Sequence, residues 1–156
     1  RALQRLEAEG KIVLDATYSG LGRFWLTDMP NIPIAEGEKW TPSRHGILFE
    51  WVNSNTEFRL DIVIGPIEQS VRNLLMRSLQ ESAPDIYHYR KSNKYTHIRK
   101  ETIFDLDAVE YQESEDHLKE IEDEIYAKVT SLLERVGPNQ RECIKQAMDN
   151  ANGSPS

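Results

Sequence analysis

The stretch from Phe49 to Pro66, FEWVNSNTEFRLDIVIGP, constrains the fold more than any other part of the chain. Two segments in which apolar residues alternate flank a short polar turn, NSNT, at residues 53–56. Alternation with a period of two is typical of strands that rest one face on a core. The stretch therefore predicts a β-hairpin. Its outward face carries Glu50, Arg59 and Asp61, which we expect to pair across the strands.

The remaining elements follow from periodicity and from stop signals. Residues 1–9 predict the end of a helix that Gly10 stops, residues 11–20 and 22–28 predict two more strands, and residues 29–40 predict a loop. Gly65-Pro66 predicts a helix start, because proline suits the first helical turn and Glu68 complements the dipole. A short strand is expected at residues 95–99. A long amphipathic helix is predicted over 114–136, ended by Gly137-Pro138.

These elements predict the fold class α+β. We expect a mainly antiparallel sheet of about four or five strands, packed against a Pro-initiated helix and a long C-terminal amphipathic helix. Residues 1–137 are expected to form a single α+β domain, followed by a short helix and a disordered tail over 138–156. The chain opens on Arg1 rather than Met, which suggests part of a longer protein.

Charge and composition narrow the classes of partner. The net charge of −7 argues against wholesale adhesion to DNA or acidic lipid, although a local basic patch remains compatible with it. Apolar runs are far too short for a membrane span, so we expect no membrane partner. The single cysteine, Cys143, excludes an internal disulfide and favours a reducing, cytoplasmic setting.

No motif in the sequence forms a complete reactive centre. Gly20 and Gly22 lack the third glycine or the Lys-Ser/Thr pair of a nucleotide-binding loop. The histidines lack the spacing of a zinc site. The one usable Glu-x-Lys, at residues 9–11, straddles a helix end and a strand start, whereas Mg²⁺-dependent nucleases hold such residues within a strand. We therefore predict no catalytic residue, no metal site and no cofactor, with an enzyme built from scattered residues such as Asp15, Asp28 and Asp61 as a weaker hypothesis.

The stretch HYRKSNKYTHIRK, residues 88–100, is the strongest candidate for binding. It contains five Arg or Lys residues, two histidines and no acid. Cationic side chains neutralise phosphates, and tyrosine rings stack on unpaired bases, so this composition suits nucleic acid. The alternative is that the stretch pairs with the acidic segment 101–124 in a surface network of salt bridges. The predicted nucleic-acid-binding residues are Arg90, Lys91, Lys94, Tyr95, Arg99 and Lys100.

The order of these motifs resembles a known family. The chain contains, in order, FEWVN, a turn, FRLDIVIGP, a helix, YTHIRKETIF and a long acidic amphipathic helix. This order is similar to the C-terminal half of bacterial PD-(D/E)XK nuclease-like proteins, which are linked to phage defence or mobile elements. Within the helix, Val71 to Leu79 follow the family's pattern, as do Tyr95, Ile98, Lys100 and Ile103 further on. The likeness covers residues 10–135 and rests on apolar pattern more than on rare residues.

The resemblance implies a non-catalytic C-terminal accessory domain that contacts nucleic acid or a partner. The family's catalytic acids and lysine belong to an N-terminal half that this chain lacks, so no catalytic residue carries over, and Mg²⁺ would serve the parent protein. The alternative is a protein-interaction or oligomerisation module that has no nucleic-acid role and uses the helix 114–136.

Overall fold

The computed structural model describes residues 1–89, 93–107 and 114–152, and in them the predicted α+β class is confirmed. Five strands and three helices follow one another within these described ranges. Their bounds are α1 Ala2–Ala8, β1 Ile12–Tyr18, β2 Leu21–Leu26, β3 Ile47–Asn53, β4 Glu57–Ile64, α2 Gln69–Ser82, β5 Thr96–Asp105 and α3 Glu115–Asn152.

The five strands form an antiparallel sheet in the order in which they occur in the sequence, β1-β2-β3-β4-β5. The predicted hairpin is confirmed as β3 and β4, with Phe49 opposite Ile62 and Glu50 opposite Asp61. Its turn is closed by Ser54, whose hydroxyl oxygen accepts a hydrogen bond from the backbone N–H of Glu57 at 3.1 Å. Strand β5 lies at one edge of the sheet, and this position matters for the site described below.

One face of the sheet forms the core together with the helices. Phe24 and Phe49 stack there with ring centroids 5.2 Å apart, and both side chains are buried. Leu75 of α2 and Val129 of α3 belong to the same buried cluster. Full burial of a large apolar side chain contributes roughly 1.5–3 kcal/mol, so this face dominates the stability of the fold.

The loop between β2 and β3 covers part of the opposite face of the sheet, and two glycines leave space for this loop. A Cβ atom on Gly65 would lie 2.1 Å from the Trp40 ring, and one on Gly46 would lie 2.2 Å from the carbonyl oxygen of Ile32. Any larger residue at either position would collide with the loop. The predicted loop at residues 29–40 is confirmed, with one isolated bridge between Pro33 and His45.

The prediction that Gly137-Pro138 ends the long helix is wrong, because α3 runs without a break to Asn152. Proline inside a helix removes one hydrogen bond and costs roughly 3 kcal/mol. Burial beyond the proline offsets that cost, since Cys143, Ile144 and Ala147 are 2% exposed or less. Gly137 also faces β2 closely, where an added Cβ atom would lie 3.1 Å from Leu26. Tertiary packing therefore overrides the local stop signal.

Two other boundaries differ from those predicted. Helix α2 begins at Gln69, with Glu68 as its N-cap, so Pro66 precedes the helix and does not initiate it. The backbone carbonyl of Pro66 instead accepts a hydrogen bond from Ala35 at 2.8 Å, which ties it to the covering loop. Strand β5 is 10 residues long, longer than the short strand predicted at 95–99. Most of the predicted disordered tail, residues 153–156, lies outside the described residues.

Candidate functional site

A groove of about 560 Å³ lies at the β5 edge of the sheet. We call it the β5 groove. It gathers residues from α2, from the segment after α2 and from β5 itself. Its lining consists of Gln80, His88, Tyr89, His97, Arg99 and Lys100. Cationic, titratable and aromatic side chains thus share one open concavity.

The segment after α2 reaches the groove because it is fastened to both the core and β5. Ile86 and Tyr87 are buried, and burial raises the pKa of Tyr87, so its hydroxyl stays neutral at physiological pH. The backbone N–H of His88 donates to the carbonyl of Ile98 at 2.7 Å. The guanidinium of Arg99 donates to the carbonyl of Ile86 at 2.7 Å. These contacts place His88 and Tyr89 beside residues 97–100.

A buried carboxylate orients the histidine of β5. Asp61 is fully buried, and Arg59 grips it through two hydrogen bonds, Nε to Oδ1 at 2.7 Å and Nη2 to Oδ2 at 3.0 Å. The Nδ1–H of His97 donates to Oδ2 of Asp61 at 3.2 Å. Since Nδ1 is used in this way and the ring lines the groove, Nε2 is the ring nitrogen left for a ligand.

Electrostatics keep this carboxylate ionised. Burial alone would raise the pKa of Asp61, but the hydrogen bonds from His97 and Arg59 outweigh burial and hold the pKa of Asp61 below its usual value. The pairing with Asp61 raises the pKa of Arg59 in turn, against the opposing effect of its own burial. The Arg59–Asp61 pair is therefore charged at neutral pH, and its carboxylate fixes the His97 ring.

The hairpin charges predicted to lie on an outward face pair differently from the prediction, and two of them, Glu50 and Asp61, are buried. Arg59 pairs with Asp61 of the same strand rather than across the hairpin. Glu50 instead faces Arg23 of β2, with 3.8 Å between Oε1 and Nε. In register, Arg23, Glu50, Asp61 and Lys100 form a row of charges across β2, β3, β4 and β5. Lys100 stands at the groove end of this row.

The predicted binding residues divide into three groups. Lys100 and Arg99 line the β5 groove, whereas Lys94 and Tyr95 lie outside its lining. Lys94 forms an ion pair with Glu38 at 2.5 Å, and the hydrogen bond that Lys94 donates to this carboxylate raises the pKa of Lys94. Tyr95 is 41% exposed and tilts against Trp40, with ring centroids 5.9 Å apart. The other two predicted residues, Arg90 and Lys91, lie outside the described residues.

The salt-bridge alternative holds at one position within the described ranges. Arg99 pairs with Glu101, the first acid of the segment 101–124. The acids of α3 that form ion pairs with other elements contact the N-terminal helix instead, as Asp123 does with Arg5 at 3.4 Å and Glu122 with Arg1 at 3.9 Å. Lys100 is exposed and has no ion pair with any described residue. It is therefore the cation of the β5 groove that is most available to a ligand.

Sequence reasoning missed His97, His88 and Tyr89 as members of one site. The signal for the Asp61–His97 contact was the strand register, in which Val63 lies opposite His97. A register shift between Ile62 and Val63 brings the histidine diagonally onto Asp61, and no pattern in the sequence marks that shift. The stretch HYRKSNKYTHIRK did contain all three residues, and its aromatic and titratable character was the usable clue.

The other residues that the sequence offered as candidates for chemistry make structural contacts. Lys11 and Glu9 pair at 3.1 Å, and the phenol of Tyr126 hydrogen-bonds both, so the Glu-x-Lys clamps α3 onto the β1 end. Asp15 accepts a hydrogen bond from the backbone of Ser43 at 3.1 Å. Among the described residues, no group of three or more His, Cys, Asp or Glu side chains could hold a metal ion, and no helix could cross a membrane.

Comparison of the chain with protein-family models, curated proteins and solved structures gives no match. Inference about function therefore rests on the β5 groove and on the chemistry of its lining.

Proposed function

We propose that this chain is a nucleic-acid-contacting module and that the β5 groove is its contact surface. The observation that supports this most directly is the meeting of Lys100, Arg99, His97 and His88 in one groove beside an aromatic ring. In keeping with its resemblance to PD-(D/E)XK nuclease-like proteins, we assign it the role of a non-catalytic accessory domain. The parent protein would supply any Mg²⁺-dependent chemistry.

The charge distribution supports a local rather than a wholesale contact. Lys100 is unpaired within the described structure, and Arg99 and His97 are fixed at its side by Ile86 and Asp61. The net charge of −7 repels phosphates elsewhere on the surface. With about one or two phosphates neutralised, log affinity should fall against log salt with a slope of roughly −0.7 to −1.8. The module is expected to bind weakly and in a salt-sensitive way.

Charge reversal at Lys100 tests the proposal. The variant Lys100→Glu should lose most binding to a fluorescently labelled oligonucleotide at low salt, measured by anisotropy. Lys119→Glu is the matched control, because Lys119 is an exposed lysine on α3 that does not line the groove. Equal binding by both variants and by the unaltered chain would remove the groove from consideration.

The non-catalytic part of the proposal has a separate test. The chain alone, incubated with Mg²⁺ and a labelled duplex or single strand, should leave the nucleic acid intact. Efficient cleavage would refute the accessory role if the nuclease activity copurifies with the chain and is lost when the chain is mutated.

The interaction-module alternative rests on one feature of α3. Ile125 and Val129 of its apolar stripe are buried inside the fold, whereas Leu118 near its N-terminal end is 50% exposed. A partner would have to use the Leu118 end of the helix. Sedimentation of the unaltered chain and of Leu118→Asp decides this hypothesis. A dimer that the substitution splits would support it, and a monomer in both cases would count against self-association.

A further inference from the structure

We infer that the β5 groove selects single-stranded over double-stranded nucleic acid, with a phosphate at Lys100 and an unpaired base on Tyr89. This inference rests on the proposed function and names the ligand of the same site. It follows from the aromatic lining, from the size of the groove and from the charges around it.

The aromatic ring is the first argument. Tyr89 lines the groove together with Arg99 and Lys100, and its partly buried ring packs against the core. A ring held in this way is already oriented when a ligand arrives, so little entropy is lost on stacking. Only an unpaired base can offer its face to such a ring, because a duplex keeps its base faces stacked inside. The ring beside the cations therefore has a use in single-strand binding and none in contacts to a duplex backbone.

The size of the groove is the second argument. At about 560 Å³ it is in the range of pockets that enclose a drug-sized ligand, which corresponds to about one or two nucleotides. A flexible strand can bend one phosphate and its base into this concavity. A duplex is a stiff cylinder with a persistence length of about 150 base pairs, so it would lie across the rim instead.

The surrounding charges are the third argument. Outside the groove, Lys94 is neutralised by Glu38 at 2.5 Å, and Arg23 faces Glu50. Asp105, at the end of β5, is exposed and has no ion pair with a described residue, whereas Asp85 before the strand pairs with Arg135 at 3.1 Å. A duplex that reached Lys100 would bring the phosphates of its second strand over a chain whose net charge is −7. A single strand carries half of the charge of a duplex per length and avoids the penalty.

Anisotropy titrations at about 50 mM salt test the inference with a labelled oligo(dT) and a labelled duplex of the same length. The single strand should bind at least about tenfold more tightly. Tyr89→Leu keeps an apolar side chain in the core but removes the ring, and it should weaken single-strand binding by about tenfold, in the range measured for loss of one base stack. Tyr89→Phe retains the ring and should bind like the unaltered chain. Thermal melts of both variants confirm that they remain folded.

The outcomes separate this inference from the proposed function. Equal or tighter binding of the duplex, with Tyr89→Leu unaffected, would overturn the single-strand inference while leaving the phosphate contact in place. Binding of neither ligand at low salt would overturn both. If Tyr89→Leu and Tyr89→Phe weaken binding equally, the hydroxyl and not the ring face makes the contact, and the inferred stacking is wrong.

Discussion

The substitution Asp61→Asn probes the network that orients His97. It preserves the shape of the side chain but removes the charge that Arg59 and His97 share. Asp61 is fully buried, so water cannot replace the lost interactions at this position. Arg59 would keep Glu57 as a second partner at 3.4 Å, and 28% of its side chain is exposed. Most of the loss in stability is therefore expected from the buried position of Asp61 rather than from Arg59.

The magnitude follows from the three hydrogen bonds that end on this carboxylate. Each hydrogen bond to a charged group contributes about 1.5–3 kcal/mol, but the asparagine oxygen still accepts one, and solvent recovers part of the loss at Arg59. We expect the free energy of unfolding at neutral pH to fall by about 2–3 kcal/mol. The double variant Arg59→Met with Asp61→Leu removes both charges together and should cost much less, because no unpaired charge stays buried.

Urea denaturation followed by circular dichroism measures this difference at several pH values. The pKa of Asp61 is lowered in the folded chain, so its contribution is complete above the ordinary value of 3.8 and is lost as the pH falls below it. The stability gap between the unaltered chain and Asp61→Asn should therefore shrink at about pH 3 and below. A gap under about 0.5 kcal/mol at neutral pH, or one that stays constant into acid, would refute the proposed role of the network.

Three further substitutions test the packing. Gly65→Ala should lower stability by about 1–3 kcal/mol and the melting temperature by several degrees, because its Cβ atom would displace Trp40; an unchanged melt would contradict the close approach. Arg72→Met should lower the free energy of unfolding by about 2–4 kcal/mol in urea denaturation, since this buried guanidinium donates to the carbonyls of Gly65 and Lys94. An unchanged free energy of unfolding would mean that these hydrogen bonds contribute little. Ile125→Asp should destabilise the monomer by more than about 3 kcal/mol, because Ile125 is 7% exposed; a folded monomer of normal stability would place this residue on the surface.

The local patterns of the sequence were sufficient for the sheet. Alternation in residues 47–53 and 57–64 predicts the hairpin because each strand must bury one face, and the observed register keeps Phe49 opposite Ile62 in the core. The apolar stripe also predicted helix α3 correctly up to Val136. The continuation of α3 beyond Val136 could not be predicted, because Pro138 is a strong local stop signal and only the packing of Cys143 and Ile144 against the rest of the fold overrides it.

The candidate site was predictable only in outline. The composition of residues 88–100 pointed to the β5 edge of the sheet, where the β5 groove lies, and Lys100 is exposed there. The sequence does not show that Lys94 is neutralised by Glu38, a residue 56 positions away in the chain. Nor does it show that His97 meets Asp61, since this contact depends on a register shift in β5. Long-range pairing and irregular register are the physical reasons for both omissions.

Backbone chemical-shift mapping tests the central claim most directly. An isotopically labelled sample of the chain is titrated with oligo(dT) at low salt while amide resonances are followed. We predict that the largest shifts fall on residues 86–89 and 96–101, around the β5 groove, and that they vanish in Lys100→Glu. Shifts that centre instead on the α3 end near Leu118, or that do not occur at all, would contradict the account. Shifts centred on a second groove, which Lys11 of the β1 end and Arg141 of α3 help to line, would contradict it as well.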